Sequence, residues 1–339
     1  MSLQFDHIAH AYGDVAALHD VSFTAPTGEI TCLLGSSGCG KSTLLNLAAG
    51  LLSVQSGSVW VGDEVLAESG RNPPPEARPV GMVFQDGALF PHMSIAQNVG
   101  FGLARAEQHA VEGWLEAVGL GGLGARFPHE LSGGQQQRAA LARAMAPGPQ
   151  VLLMDEPFAS VDIVLRRRLR RDCRRLLRER GTTTVLVTHD PEEALDVADR
   201  IAVMEGGRIV QFGTPQELHE APQAASVGAI FGGAQVVRAV REGSEFLTAF
   251  GPWDVASASG DVPESLAIDL LIHADQLDCR ADPSGLEVRD VQPLGSSTRV
   301  LLAGEGGAEI TAETAEMIEP GARYRVVPKP ASLRAFAQG

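Results

Sequence analysis

Residues Gly35 to Thr43 read GSSGCGKST, and this segment, the phosphate loop, is the strongest indication of the fold class. It matches the phosphate-binding pattern G-x-x-x-x-G-K-[ST], with Lys41 and Ser42 in register. An apolar run of strand length, residues 29–34, precedes the loop, and residues 43–52 follow it with leucines at helical spacing. Because the pattern requires strand, glycine turn and helix in that order, the sequence predicts an α/β domain built around a phosphate site.

The chemistry of the phosphate loop follows from its residue types. Glycines let successive backbone N–H groups form an anion-binding nest, and the following helix adds the positive end of its dipole. Lys41 brings a compact charge to the β- and γ-phosphates, and the Ser42 hydroxyl suits Mg²⁺. The alternative is a plain glycine-rich turn before a helix. The predicted ATP contacts here are Gly35, Ser36, Ser37, Gly38, Cys39, Gly40, Lys41, Ser42 and Thr43.

Length and composition limit the class of protein. A chain of 339 residues with 44% apolar content predicts two or three packed domains. The net charge of −15 argues against nucleic acid as the main partner. No run of about 18 apolar residues is present, and the first residues do not resemble a signal peptide. Four cysteines without C-x-x-C spacing predict reduced thiols in a cytosolic protein.

Four polar residues follow three apolar strand-like runs. The run Val151–Met154 ends in Asp155 and Glu156, where an aspartate can hold a magnesium-bound water and a glutamate can act as general base on water. His189 follows a later run and could bond the γ-phosphate, and Gln85 follows an earlier one and could ligate Mg²⁺. The alternative for each is an ordinary solvated strand end.

Residues from about 86 to 148 include apolar residues at helical spacing, which predicts a helical insert between the halves of the α/β domain. Within it lies LSGGQQQR, Leu131 to Arg138. Ser132 is a good N-cap, and a helix that opens with Ser-Gly-Gly offers exposed N–H groups to a phosphate. The alternative is a simple capped helix.

Two further features have open interpretations. Tyr12 could stack on the adenine ring or be an ordinary turn residue. Residues 165–180 predict a basic helix that could bind nucleic acid or a lipid surface. In so acidic a chain, a solvated helix face is the favoured interpretation.

In order and spacing these motifs resemble the ATP-binding subunits of ABC transporters, over residues 1 to about 232. The matches are the Walker A loop (Gly35–Thr43), the Q-loop (Gln85), the signature sequence (Leu131–Arg138), Walker B with its catalytic glutamate (Val151–Pro157), the D-loop (Ser160–Asp162) and the switch histidine (His189). Tyr12 falls where the family stacks adenine. The resemblance implies a P-loop NTPase (ABC ATPase) domain with a helical subdomain at about 86–148.

The resemblance also implies a mechanism and partners. Two ATP molecules would lie in a head-to-tail homodimer, and hydrolysis would drive an integral-membrane permease that docks near residues 85–103. The protein would be peripheral, on the cytoplasmic face of the inner membrane. The implied catalytic residues are Glu156, His189 and Lys41; the implied Mg²⁺ ligands are Ser42, Gln85 and Asp155; ATP would also contact Gln85 and, in trans, Ser132, Gly133, Gly134, Gln135 and Asp162.

Residues 233–339 change to short strand-like runs and glycine turns. Six runs predict an all-β domain, either a small barrel or a pair of barrels: 235–240, 246–250, 266–273, 286–291, 297–302 and 324–327. The segment resembles the OB-like (TOBE) regulatory domain of importer ATPases, which favours an importer. Nine basic against sixteen acidic residues from Gln235 onward argue against an oligonucleotide ligand.

The cargo is the least determined property. Residues 89–103 and 127–147 look most like the ferric-iron importer branch, whereas the polyamine, sulfate and sugar branches have much of the same sequence in these segments. A periplasmic binding protein and the permease select the cargo in such systems. A non-transport ATPase acting on ribosomes or DNA is the alternative from another class. ATPases of that class resemble two ATP-binding halves joined in one chain, or carry a long coiled-coil insert. This sequence shows one such half and no sustained heptads.

Overall fold

A computed structural model describes residues 1–339 except Ser160, Asp162, Met317 and Gly339, and excludes the side chains of residues 163–165 and 232. The chain forms two compact units, Met1–Gln216 and Glu217–Gly339. The predicted domain boundary after residue 232 lies inside the second unit. Within the described residues, no helix has both the length and the apolar character needed to cross a membrane.

The first unit combines two sheets. Its strands are β1 (Leu3–Tyr12), β2 (Val15–Ala25), β3 (Ile30–Leu34), β4 (Ser56–Val61), β5 (Glu64–Glu68), β6 (Val80–Val83), β7 (Val151–Asp155), β8 (Thr183–Thr188), β9 (Arg200–Glu205) and β10 (Arg208–Gly213). In the larger sheet, ordered β10-β9-β3-β8-β7-β6, all neighbours pair in parallel except β10 with β9. Such strands are buried on both faces, so β3 and β8 are apolar or threonine-rich throughout.

The smaller sheet is antiparallel, with strand order β2-β1-β4-β5. Residues 57–61 predict β4, and for β1 and β2 the sequence predicts only residues 3–5 and 21–23 as strands. The structure extends both into a long hairpin, because β-bulges let β1 and β2 stay paired past the polar residues between those runs.

The helices are α1 (Lys41–Ala49), α2 (Ile95–Val99), α3 (Val111–Ala117), α4 (Gly133–Met145), α5 (Ile163–Arg180), α6 (Pro191–Val197), α7 (Pro215–Glu220) and α8 (Ala225–Gly232). The helix that the sequence predicts directly after the phosphate loop is α1. It begins with Lys41 directly after the left-handed Gly40, and Gly50, at φ 83°, ends it before Leu51.

The second unit has an all-β core, which confirms the predicted fold class. Its strands are β11 (Gln235–Glu242), β12 (Glu245–Thr248), β13 (Gly251–Asp254), β14 (Ala267–Ile272), β15 (Leu277–Pro293), β16 (Thr298–Ala303), β17 (Glu309–Thr314), β18 (Arg323–Pro328) and β19 (Arg334–Ala337). They form two antiparallel sheets, β13-β12-β11-β14-β19 and β17-β16-β15-β18, around one core that includes Phe246 and Trp253.

The expectation of six strands in this segment is too low for the residues described. The sequence missed β13, β17 and β19, and it detected only the second half of β15. The missed segments are short or rich in polar residues. Pairing with their neighbours, rather than a strong apolar alternation of their own, makes them strands.

Candidate functional site

The phosphate loop connects the buried strand β3 to helix α1, and two glycines permit this connection for different reasons. A Cβ at Gly35 would lie 2.2 Å from the Met204 carbonyl oxygen. Gly40 has φ 102°, and a Cβ there would also meet Leu18 at 2.6 Å. The first glycine is therefore required by close packing, and the second by backbone conformation as well.

Lys41 lies with its ammonium group at the phosphate loop. Its Nζ donates hydrogen bonds to the carbonyl oxygens of Gly35 and Ser36, both at 2.8 Å, and lies 3.7 Å from Cys39 Sγ. The side chain is buried. The positive charge thus lies beside the loop backbone that the sequence predicts to surround phosphate.

Ser42 and Asp155 come together from distant parts of the chain. Ser42 Oγ donates to Asp155 Oδ1 at 3.3 Å, because α1 begins and β7 ends at the same edge of the sheet. Burial raises the pKa of the Asp155 carboxyl, and the Ser42 hydrogen bond opposes that shift. A hydroxyl and a carboxylate are hard oxygen donors of the kind Mg²⁺ prefers, so this pair fits the predicted ion.

Glu156 and His189 form the second pair at this edge. His189 Nδ1 and Glu156 Oε1 are 3.1 Å apart, since β7 and β8 are parallel neighbours that end side by side. Glu156 has φ 42°, in the left-handed region, and its N–H donates to the Val187 carbonyl oxygen at 3.0 Å. A non-glycine residue held in this conformation is a feature of functional sites.

Tyr12 lies close to the phosphate loop. Its hydroxyl is 3.3 Å from Thr43 Oγ1, and the ring of His10 packs edge-on against it at 4.9 Å. The tyrosine is 51% exposed, so part of its surface is accessible to a ligand.

The signature residues lie at the beginning of α4, and their side chains bond within that helix. Ser132 Oγ accepts from the Gln135 N–H, and Gln135 Oε1 accepts from the Ser132 N–H, which is a capping box. In the described part of the chain, no hydrogen bond or ion pair joins Ser132, Gly133, Gly134 or Gln135 to the phosphate loop. Gln85 is exposed, after β6, and the predicted contact Asp162 lies outside the described residues.

The basic helix α5 corrects the expectation of a purely solvated face. Arg167, Arg168 and Arg175 are at least 69% exposed, as expected. Arg170 is 2% exposed and pairs with Asp190, Glu193 and Asp196, which follow His189. Sequence reasoning missed this role, and the one signal available was the acidic run PEEALD at 191–196.

Comparison with protein families agrees with this geometry. Residues 18–159 match the family model for ABC transporters, and residues 263–336 match the TOBE domain.

Two relatives and one solved structure illustrate the similarity. The chain is 40% identical over 317 residues to the Fe(3+) ions import ATP-binding protein FbpC of Pseudomonas fluorescens, with 91% of this chain and 89% of that protein covered. It is 41% identical over 330 residues to the sulfate/thiosulfate import ATP-binding protein CysA of Burkholderia mallei, with 92% of each covered. The crystal structure of an ATP-binding cassette of an ABC transporter in its ADP conformation superposes with a TM-score of 0.59 at 24% identity, covering 67% of this chain and 98% of that one.

Proposed function

The chain belongs to the ABC transporter family of ATP-binding proteins, and we propose that it is the ATP-hydrolysing subunit of an importer. The observation that carries the proposal is the arrangement at one sheet edge. There the phosphate loop, the Ser42–Asp155 pair and the Glu156–His189 pair meet at the ends of adjacent parallel strands. Membership in the family implies that the chain binds ATP and works with a membrane permease.

The described residues have separate tasks in hydrolysis. The phosphate-loop N–H groups and Lys41 hold the β- and γ-phosphates and stabilise charge that develops in the transition state. Glu156 orients the attacking water and accepts its proton, and His189 donates a hydrogen bond to the γ-phosphate. Ser42, Asp155 and Gln85 would hold Mg²⁺, which neutralises phosphate charge when bound.

We place the complete site in a head-to-tail homodimer. The capping box at Ser132 keeps the first N–H groups of α4 at an exposed helix beginning, which supports an anion contact with a second copy. In that dimer Ser132, Gly133, Gly134, Gln135 and Asp162 of one subunit would complete the nucleotide site of the other. The dimer would bind its permease at the cytoplasmic face of the inner membrane.

The role of Glu156 is tested by Glu156→Gln, which keeps the size of the side chain and removes the base. We expect kcat for ATP hydrolysis to fall at least about 100-fold, while ATP affinity stays within about threefold. Steady-state phosphate release and equilibrium binding of a fluorescent ATP analogue measure the two quantities.

The matched control is Glu192→Gln, the same change at a carboxylate whose side chain is 73% exposed. We expect its turnover to stay near that of the wild type. Turnover by Glu156→Gln within a few fold of the wild type would contradict the assigned role.

For the cargo we propose ferric iron, on residues 89–103 and 127–147 together with the iron-import name of the Pseudomonas fluorescens relative. The sulfate/thiosulfate relative is equally similar, so overall identity does not separate the two cargoes. A periplasmic binding protein would deliver the cargo to the permease.

Uptake of labelled iron(III) and labelled sulfate in cells lacking the gene separates these candidates. Complementation with the wild type, but not with Glu156→Gln, should restore iron uptake and leave sulfate uptake unchanged. Restoration of sulfate uptake alone would replace iron as the cargo. If neither returns while purified protein hydrolyses ATP, polyamine uptake is the next measurement.

A further inference from the structure

An ion-pair cluster lies behind His189 and is built around one buried arginine of α5. Arg170 is 2% exposed, and its two terminal nitrogens meet three carboxylates. Nη2 donates to Asp190 and lies 3.6 Å from Glu193, and Nη1 donates to Asp196 at 3.3 Å. We call these four residues the Arg170 cluster.

The carboxylates of the cluster hold both ends of the turn that carries His189. Asp190 is the next residue, and its Oδ1 caps α6 by accepting from the Glu192 N–H at 2.9 Å. On the other side, Thr188 Oγ1 donates to Glu193 Oε2 at 3.1 Å and accepts from the Asp190 N–H at 3.0 Å. The backbone of His189 therefore lies between two residues that the cluster holds in place.

His189 itself has no comparable support from its own side chain. The imidazole is 55% exposed, and its Nδ1 lies 3.1 Å from Glu156 Oε1. Its position relative to the reacting phosphate thus depends on the backbone at residues 188–190. A planar guanidinium is suited to this task, because its fork fixes several oxygens at once, whereas an ammonium is a single point charge.

From this geometry we propose that Arg170 is a positioning residue for His189, acting through Asp190 and the cluster, in the ATPase reaction. The proposal rests on the proposed function, because it assigns Arg170 to the same hydrolytic step. The arginine acts without contacting the nucleotide. It keeps the imidazole where a hydrogen bond to the γ-phosphate can form, and a displacement of about 1 Å there costs about 100-fold in rate.

The test is a double-mutant cycle on the full-length protein, with Arg170→Lys, His189→Ala and the combination. We expect Arg170→Lys to lower kcat about tenfold in the wild-type background, with KM for ATP within about twofold. In the His189→Ala background the same change should alter kcat less than about twofold, because no imidazole is left to position. Equal losses in both backgrounds would overturn the proposal, since a general structural defect acts regardless of His189.

Arg174→Lys is the matched control, one turn further along α5. Arg174 pairs with Asp199 at 3.2 Å and donates to the backbone carbonyl oxygen of Asp196, not to a carboxylate of the Arg170 cluster. We expect kcat of Arg174→Lys to stay within about twofold of the wild-type value. A tenfold loss in this variant as well would assign the effect to α5 in general and overturn a specific role for Arg170.

Asp190→Asn provides a second variant in case Arg170→Lys does not fold. Asparagine caps helices as well as aspartate does, so α6 keeps its cap while the charge pair with Arg170 is lost. We expect the same non-additive loss with His189→Ala, and an unchanged kcat would overturn the proposal. If His189→Ala alone keeps full turnover, that single variant shows that the role assigned to His189 is wrong, and the positioning proposal fails with it.

Discussion

The phosphate loop and the turn at residues 188–190 lie at the same sheet edge, but they are built in opposite ways. The loop consists of nine consecutive residues whose path is set by glycine sterics and whose lysine bonds the carbonyl oxygens of its own loop. The His189 turn is held by side chains from α5, from α6 and from Glu156, the residue after β7. We call the phosphate loop a local site, because residues of one short segment form it, and the His189 turn an assembled site, because distant segments form it. A local site tolerates few substitutions inside its own segment. An assembled site is also sensitive to substitutions far away in sequence.

The largest effect should come from a substitution inside the loop, Gly35→Ala. The new Cβ would lie 2.2 Å from the Met204 carbonyl oxygen, so either the loop or β9 must move. We expect a loss of more than about 3 kcal/mol in the free energy of unfolding, and no measurable ATP binding. Thermal unfolding and nucleotide titration measure both.

Gly113→Ala in α3 is the control, because nothing lies within 4 Å of its added Cβ. It should be neutral or slightly stabilising, since alanine favours helix. ATP binding by Gly35→Ala at wild-type affinity would show that the loop is less constrained than its geometry indicates.

An intermediate effect is expected at the assembled turn, from Glu193. Burial raises the pKa of this carboxyl from 4.5 to about 7, against the opposing effects of Arg170 and the Thr188 hydrogen bond. The unfolded chain loses its proton at lower pH than the folded one, so this group lowers stability as pH rises from about 4.5 to 7. Above pH 7 the ionised carboxyl lowers the free energy of unfolding by its full amount, on the order of 3 kcal/mol at most.

Glu193→Gln should therefore stabilise the protein most above pH 7 and least below about pH 4.5. Urea unfolding at several pH values measures the difference, and Glu192→Gln, at the exposed neighbouring position, should leave the pH dependence unchanged. A stability gain that is equal at all pH values would contradict the raised pKa.

The smallest effect is expected at Tyr12, whose hydroxyl contacts Thr43, the last residue of the phosphate loop. Tyr12→Ala should weaken ATP binding about tenfold, since stacking on a base contributes about 1–3 kcal/mol. Tyr12→Phe keeps the ring and removes the 3.3 Å contact between the hydroxyl and Thr43, so affinity should change less than about threefold. If both variants bind alike, Tyr12 does not stack on adenine, and the local site ends at the loop itself.

The sequence was most informative where structure depends on neighbours along the chain. The phosphate loop and the polar residues at the ends of β7 and β8 could be predicted, because apolar runs mark buried strands and parallel strands end at one edge. The short strands β5 and β19 and the polar strand β17 could not. Their partners are set by long-range pairing that leaves little local signal.

The same division applies within α5. Its arginine-rich sequence indicates a charged helix, and several of those arginines are indeed solvated. Helical periodicity alone does not reveal that Arg170 points into a group of carboxylates, because those acids follow β8 and reach α5 only in the folded chain.

By itself, then, the sequence determined the family resemblance, the phosphate loop and the identity of the candidate catalytic groups, since each depends on residue type and short spacing. The tertiary structure decided which of those groups meet. It paired Ser42 with Asp155 and Glu156 with His189, and it placed Arg170 behind the histidine. Short-range sterics and burial patterns depend on residues that are adjacent in the sequence. Contacts between side chains on different elements form only when the folded sheet brings its strand ends together.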